Sequence, residues 1–172
     1  MKNGQSQFSE QGQIPDQYYL QPGYILVPDK SVSISTVIGS GVCVCIFDRK
    51  NRCGGMNHFQ FPLMTVKGKT TPMYGNVATI ALVKLMLARE TKKKALEAQI
   101  FGGAFHSGIS DKDVGSENIE IARRVLKKAG ITIISEDVGG EKGRKIVFNT
   151  HTNEIAVLKV DSLRNVDWYP YA

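Results

Sequence analysis

Valine and isoleucine alternate with small polar residues over 31–38 (SVSISTVI), the period-two pattern of a strand with one buried face. After Gly39-Ser40-Gly41 the alternation gives way to VCVCIF over 42–47, continuously apolar as in a strand buried on both sides. Residues 48–55 (DRKNRCGG) read as a turn. GMNHFQFP then reads as a second strand, ending at Pro62 and folded by the turn antiparallel to the strand before it. A helical period follows and predicts a helix over about 76–98. Val77, Ile80, Ala81, Leu85 and Ala88 form its buried face, broadened by Val83, Met86 and Leu87. Lys92, Lys93 and Lys94 fall in its later turns, where cations suit the helix dipole. Residues 97–104 (EAQIFGGA) read as a short strand. A second helix over about 116–129 takes Ser116 as its N-cap and Gly130 as its stop. Its stripe is Ile119, Ala122, Val125, Leu126 and Ala129. Three strands close the pattern: ITIISED, GRKIVFN and EIAVLKV. Gly139-Gly140 through Gly143 joins the first two, and His-Thr-Asn the last two.

Together these elements predict one α/β domain of about six strands and two helices, the strands not strictly alternating with helices. Residues 1–17 are polar, rich in Gln, Ser, Gly and Asn, and predict a flexible N-terminal arm. Tyr18-Tyr19-Leu20 starts an extended stretch, with turns at Pro22-Gly23 and Pro28-Asp29. The domain proper spans 18–160, and residues 161–172 form a C-terminal tail read as a loosely packed extension. The 172 residues suffice for a real core, and 42% of them are hydrophobic, as in an ordinary globular protein. There is no apolar signal-peptide core and no window long enough to span a membrane, so a cytoplasmic protein without membrane insertion is expected. The three cysteines, Cys43, Cys45 and Cys53, lie close together and are odd in number. A secreted disulfide scaffold would carry more of them, more widely spread, so free thiols in a reducing compartment follow.

Several groups carry candidate chemistry. Cys43, Cys45, Cys53 and His58 offer the donors of a zinc site. A Cys-x-Cys pair within a strand points both sulfurs to one face, however, unlike the knuckle that chelates zinc. Flanked by valines, Cys43 and Cys45 read as small buried hydrophobes, and no metal or other cofactor is expected. Ser40 between two glycines suggests a nucleophile elbow, but that motif must lead into a helix and here leads into a strand. The tight backbone reads instead as a bulge or close approach, with exposed N–H groups suited to an oxyanion. GGEKGRK at 139–145 lacks the spacing of a phosphate loop and reads as a hairpin-type connection. The net charge of +6 leaves room for an acidic partner. The basic clusters at 92–94, 123–124 and 127–128 have no aromatic stacking pattern beside them and read as solvated helix faces rather than nucleic-acid contacts. His58 draws interest only because its strand folds beside the strand over 35–48.

The stretch ISTVIGSGVCVCIFD followed by CGGMNHFQFP resembles the signature of the CheD family, the chemoreceptor glutamine deamidases. The likeness continues through Tyr74-Gly75-Asn76-Val77-Ala78, IFGGA at 100–104, VGSEN at 114–118 and EDVGGEKGRKIVF at 136–148, in order, over roughly 18–160. It implies a three-layer α/β sandwich around a buried β core. It also implies a papain-like mechanism, in which a cysteine, aided by a histidine, attacks the side-chain amide of a receptor glutamine. Ammonia leaves, a thioester forms, and water releases glutamate. The partners implied are methyl-accepting chemoreceptors, engaged at cytoplasmic helices, and a CheC-type phosphatase. Carried over singly, the family's histidine matches His58, and its hydroxyl residue matches Ser35, with Thr36 adjacent. The family's Gly-Ser-Cys-Val reads Gly39-Ser40-Gly41-Val42 in this chain, so the nucleophile position is Gly41 and holds no thiol. Deamidase activity is therefore expected to be absent or strongly impaired, leaving a binding module for receptors or phosphatase as the alternative. Cys43 is the fallback nucleophile; it sits about 6.5 Å further along the strand. A general base must lie within about 3 Å of the proton it takes, so Cys43 reads as packing.

Overall fold

The computed structural model describes residues 16–68 and 70–162. The predicted arm over 1–17 lies outside these residues except for Asp16 and Gln17, and so does the predicted tail beyond 162. The elements are β1 (Asp16–Tyr19), β2 (Tyr24–Leu26), β3 (Val32–Ile38), β4 (Val42–Asp48), β5 (Cys53–Phe59), α1 (Gly75–Leu87), β6 (Leu96–Gly102), α2 (Val114–Ala129), β7 (Thr132–Val138), β8 (Gly143–Asn149) and β9 (Ile155–Val160). They form two sheets. One has four strands in the order β1-β3-β8-β9, and the other has five in the order β2-β5-β4-β6-β7. The pairs β1–β3 and β6–β7 are parallel and the rest antiparallel.

All seven residues of β4 are buried, because both faces of the five-stranded sheet are covered. Side chains alternate across a strand, so the apolar run divides. Val42, Val44 and Ile46 join a core shared with α1 and α2, including Ala78, Leu82, Met86, Ala122 and Leu126. Cys43, Cys45 and Phe47 join a second core between the sheets, with Ile34, Ile38, Met56, Phe101, Ile146 and Phe148. The layers are thus four-stranded sheet, five-stranded sheet and helices, the three-layer α/β sandwich with a buried β core that the resemblance implied.

The differences from the sequence reading are informative. Helix α1 ends at Leu87, with Ala88 as its C-cap, rather than near residue 98. Glu90 takes a left-handed φ of 58°, and the chain from Leu96 pairs with β4 instead. Lys93 and Lys94 therefore lie in a separate 3₁₀ turn, not in the helix's last turns. The buried face of α1 is Ala78, Leu82, Val83 and Met86, whereas Ile80 and Leu85 are exposed. The helix is apolar almost all round, so its period does not choose a face. In α2 the cap is Asp113, whose carboxylate accepts from the N–H of Ser116. Ser116, the predicted cap, sits one turn inside. Gly39-Ser40-Gly41 is no bulge within one sheet: it carries the chain from β3 in the four-stranded sheet to β4 in the other. The glycine-rich 139–142 segment likewise links β7 to β8 across sheets and is not a hairpin. Between β8 and β9 the His-Thr-Asn link closes a hairpin.

Candidate active site

His58 lies on β5, opposite Cys43 of β4 and Tyr24 of β2. Only 1% of it is exposed. Its Nδ1 is 2.8 Å from Oγ1 of Thr36, a buried residue of β3 in the other sheet. The Thr36 hydroxyl donates its single proton to the carbonyl oxygen of Leu20 at 2.7 Å. A hydroxyl has one proton to give, so Thr36 can only accept from the imidazole. Nδ1 then carries the ring proton and Nε2 the free lone pair. Burial pushes the imidazole pKa down to about 4, against a smaller opposing effect of the Leu20 carbonyl. The ring is neutral near pH 7, with a basic nitrogen held in one direction.

That direction is position 41. A Cβ built on Gly41 would lie 3.2 Å from His58 Nε2 and 2.8 Å from the carbonyl oxygen of Phe59. A cavity of about 330 Å³ opens here, lined by Gly39, Ser40, Gly41, His58, Gln60, Phe61 and Val114. No hydrogen bond to a described residue engages the N–H of Ser40 or Gly41. The loop is fixed through its carbonyls, with Gly41 accepting from the N–H of Gly103 and Gly39 from that of Ala104. A second cavity of about 430 Å³ shares Gly39, Ser40 and Val114 and continues past His106 and Lys112 to Glu141.

The other residues singled out in the sequence sort as follows. Ser35 alternates with Thr36 along β3 and points to the opposite face; Thr36 is the hydroxyl that meets the imidazole. Cys43 is fully buried in the inter-sheet core and does not line the cavity. Cys45 lies beside it, its thiol pKa raised by burial and by the hydrogen bond and charge of Cys43. Cys53 sits opposite Asp48 at the far end of β5, about 17 Å along the strand from His58. Among the described residues no cluster of three or more His, Cys, Asp or Glu could hold a metal.

One buried polar residue at the site was given no role by the sequence reading. Asn118, buried in α2, donates from Nδ2 to the carbonyl oxygens of both Ser40 and Gln60, each at 2.9 Å. A polar residue beside Ile119 on the buried face was the available signal.

The family model described as CheD chemotactic sensory transduction matches residues 63–159, a stretch that begins after Gly41 and His58. A protein of Trichlorobacter lovleyi named "Probable chemoreceptor glutamine deamidase CheD" is 40% identical over 140 residues, covering 80% of this chain and 87% of the relative. A relative in Anaeromyxobacter dehalogenans, "Probable chemoreceptor glutamine deamidase CheD 1", is 39% identical over 135 residues, or 77% of this chain and 78% of its own. One in Sulfurimonas denitrificans, named as the first is, is 34% identical over 140 residues, or 80% and 90%. With a family model matched over more than half its length and relatives similar across most of both chains, this protein belongs to the CheD family.

Proposed function

We propose that this chain is a cytoplasmic chemotaxis protein that takes up glutamine side chains of methyl-accepting chemoreceptors in the cavity beside His58, and that residues 18–160 carry this function. Its site has the base of a glutamine deamidase but not the thiol, and the Phe59 carbonyl must give by a few tenths of an ångström to admit a Cβ at position 41. The observation that carries the reading is the 3.2 Å between a Cβ at position 41 and His58 Nε2, the nitrogen left unprotonated by the Thr36 hydrogen bond. A thiol there would give its proton to Nε2, and the sulfur would attack the amide carbon. The N–H groups of Ser40 and Gly41, which no described residue engages, suit the oxyanion. Ammonia would leave with the proton returned from the imidazole, and water would hydrolyse the thioester. Gly41 supplies no sulfur, so this chain binds and orients the amide while the covalent step is absent or strongly reduced. Cys43 does not fill the role, because it is enclosed between the sheets.

The missing thiol favours one second reading, a non-hydrolytic module that acts by occupying chemoreceptor helices or a CheC-type phosphatase. One set of assays separates the two. Ammonia release from purified receptor cytoplasmic segments is expected to be undetectable with the native chain. It should rise by about two orders of magnitude or more with Gly41→Cys, and be lost again in Gly41→Cys/His58→Ala. His58-dependent release by the native chain overturns the proposal. A silent Gly41→Cys variant that still retains receptor segments or phosphatase in a pull-down favours the binding module.

A further inference from the structure

We infer that Asn118 is a positioning residue, holding position 41 against the His58 base by tying Ser40 to Gln60 just beyond the last β4–β5 pair, Val42–Phe59. This rests on reading 41 and 58 as a nucleophile–base pair. The two carbonyls it holds belong to Ser40, adjacent to position 41, and Gln60, two residues beyond His58. Both residues line the cavity. The β4–β5 ladder ends at the pair Val42–Phe59, and beyond it the loop's other backbone ties, from Gly103 and Ala104, run to the end of β6 rather than to β5. Among the described residues no other side chain bonds either carbonyl.

The orientation of the amide is set by its partners. Two carbonyl oxygens can be met only by the donor nitrogen, so Oδ1 faces elsewhere and is buried without a partner among the described residues. An apolar residue of similar volume would fill this place and leave no orphaned acceptor, so packing alone does not account for an amide. Its helix is seated firmly enough to serve as a fixed post. The backbone of Gly115 lies so close to the Gly103 carbonyl that a Cβ could not fit, and Asp113 caps the helix end. Asn118 thus refers both sides of the site to α2. A misplacement of about 1 Å at a reacting pair can cost about 100-fold in rate, which is the sensitivity a clamp would guard.

The test compares Gly41→Cys with Gly41→Cys/Asn118→Leu, following iodoacetamide alkylation of the thiol introduced at position 41 as a function of pH, read from the peptide that carries it. Gly41→Cys/His58→Ala serves as the reference without a base. In Gly41→Cys the alkylation profile should show a His58-dependent inflection below the ordinary thiol range. Asn118→Leu, with an unchanged circular dichroism spectrum, should return that inflection to the ordinary range and slow alkylation at about pH 6.5 by about tenfold or more. A folded Asn118→Leu variant with the Gly41→Cys profile overturns the proposal. If Leu does not fold, Asn118→Ala, which withdraws the donor without adding bulk, is used in its place. If His58→Ala leaves the profile of the introduced thiol unchanged, it is the nucleophile–base reading that fails. The clamp is then decided in the native chain by hydrogen exchange at the Gly103 and Ala104 amides. Asn118→Leu should speed exchange there by about tenfold relative to the β4 amides, and unchanged exchange overturns the clamp.

Discussion

At the scale of single residues, the environment of His58 makes a prediction that does not depend on catalysis. Its folded pKa of about 4 lies below the unfolded value near 6.5. Between those values the unfolded chain binds a proton that the folded chain excludes, so stability rises with pH. The contribution is fully present above about pH 6.5 and is lost as pH falls through about 4, a total of about 3 kcal/mol. Urea unfolding followed from pH 7 to pH 4 should show this slope, and His58→Asn should flatten it. A slope unchanged in His58→Asn would mean that the imidazole is solvated. Asp48 and Asp137 do not mimic the effect. Burial opposes their ionisation, but hydrogen bonds hold both carboxyls below the usual range, so they titrate at lower pH. His58 and position 41 were legible in the sequence. The hydroxyl partner was not, because Ser35 and Thr36 differ by one position and only the register of β3 against the second sheet says which faces inward.

At the scale of elements, the glycines mark where layers touch. Gly115 opens α2 against the end of β6, and a Cβ there would overlap the Gly103 carbonyl, an obstacle of backbone that cannot swing aside. Gly115→Ala should therefore lift the start of α2 and lower unfolding stability by about 3 kcal/mol, read from urea midpoints. It should also disturb the site through Asn118, one turn along. A variant as stable as the native chain would show that α2 is not tightly seated. The period of α2 identified most of its buried stripe, since its opposite face is charged. The same method misplaced the face of α1, where apolar residues occur on all sides and the choice among them is made by the sheet beneath. The helix-forming run after Leu87 lost to the pairing of β6 with β4, a long-range gain that local propensity cannot register.

At the scale of the whole molecule, the chain changes sheets at 39–41 and again at 139–142; the first crossing borders both cavities and the second, through Glu141, the larger one. The second crossing is held by Arg144, whose side chain is 3% exposed. It bonds the carboxylate of Asp137 and the carbonyls of Lys142 and Gly139. Arg144→Ala should cost about 2 kcal/mol in urea unfolding. That is less than the roughly 3–5 kcal/mol of a fully buried pair, because Asp137 keeps water and a second partner in Lys159. A negligible change would mean that the crossing is held by its backbone alone. No helix among the described residues is long and apolar enough to cross a membrane.

The sequence by itself determined the strands of the core, the two helices, and positions 41 and 58, which the structure brings together, because period and motif are local properties of the chain. It also determined the missing thiol, since a residue type needs no coordinates. The assignment of β3 and β4 to different sheets, the approach of Thr36 to the imidazole and the grip of Asn118 on both sides of the cavity were decided only by tertiary structure. Each depends on which faces meet across layers, and residues distant in sequence settle that together. The tertiary structure also gives Gly41 its place: the unprotonated nitrogen of His58 lies 3.2 Å from where a side chain at position 41 would begin.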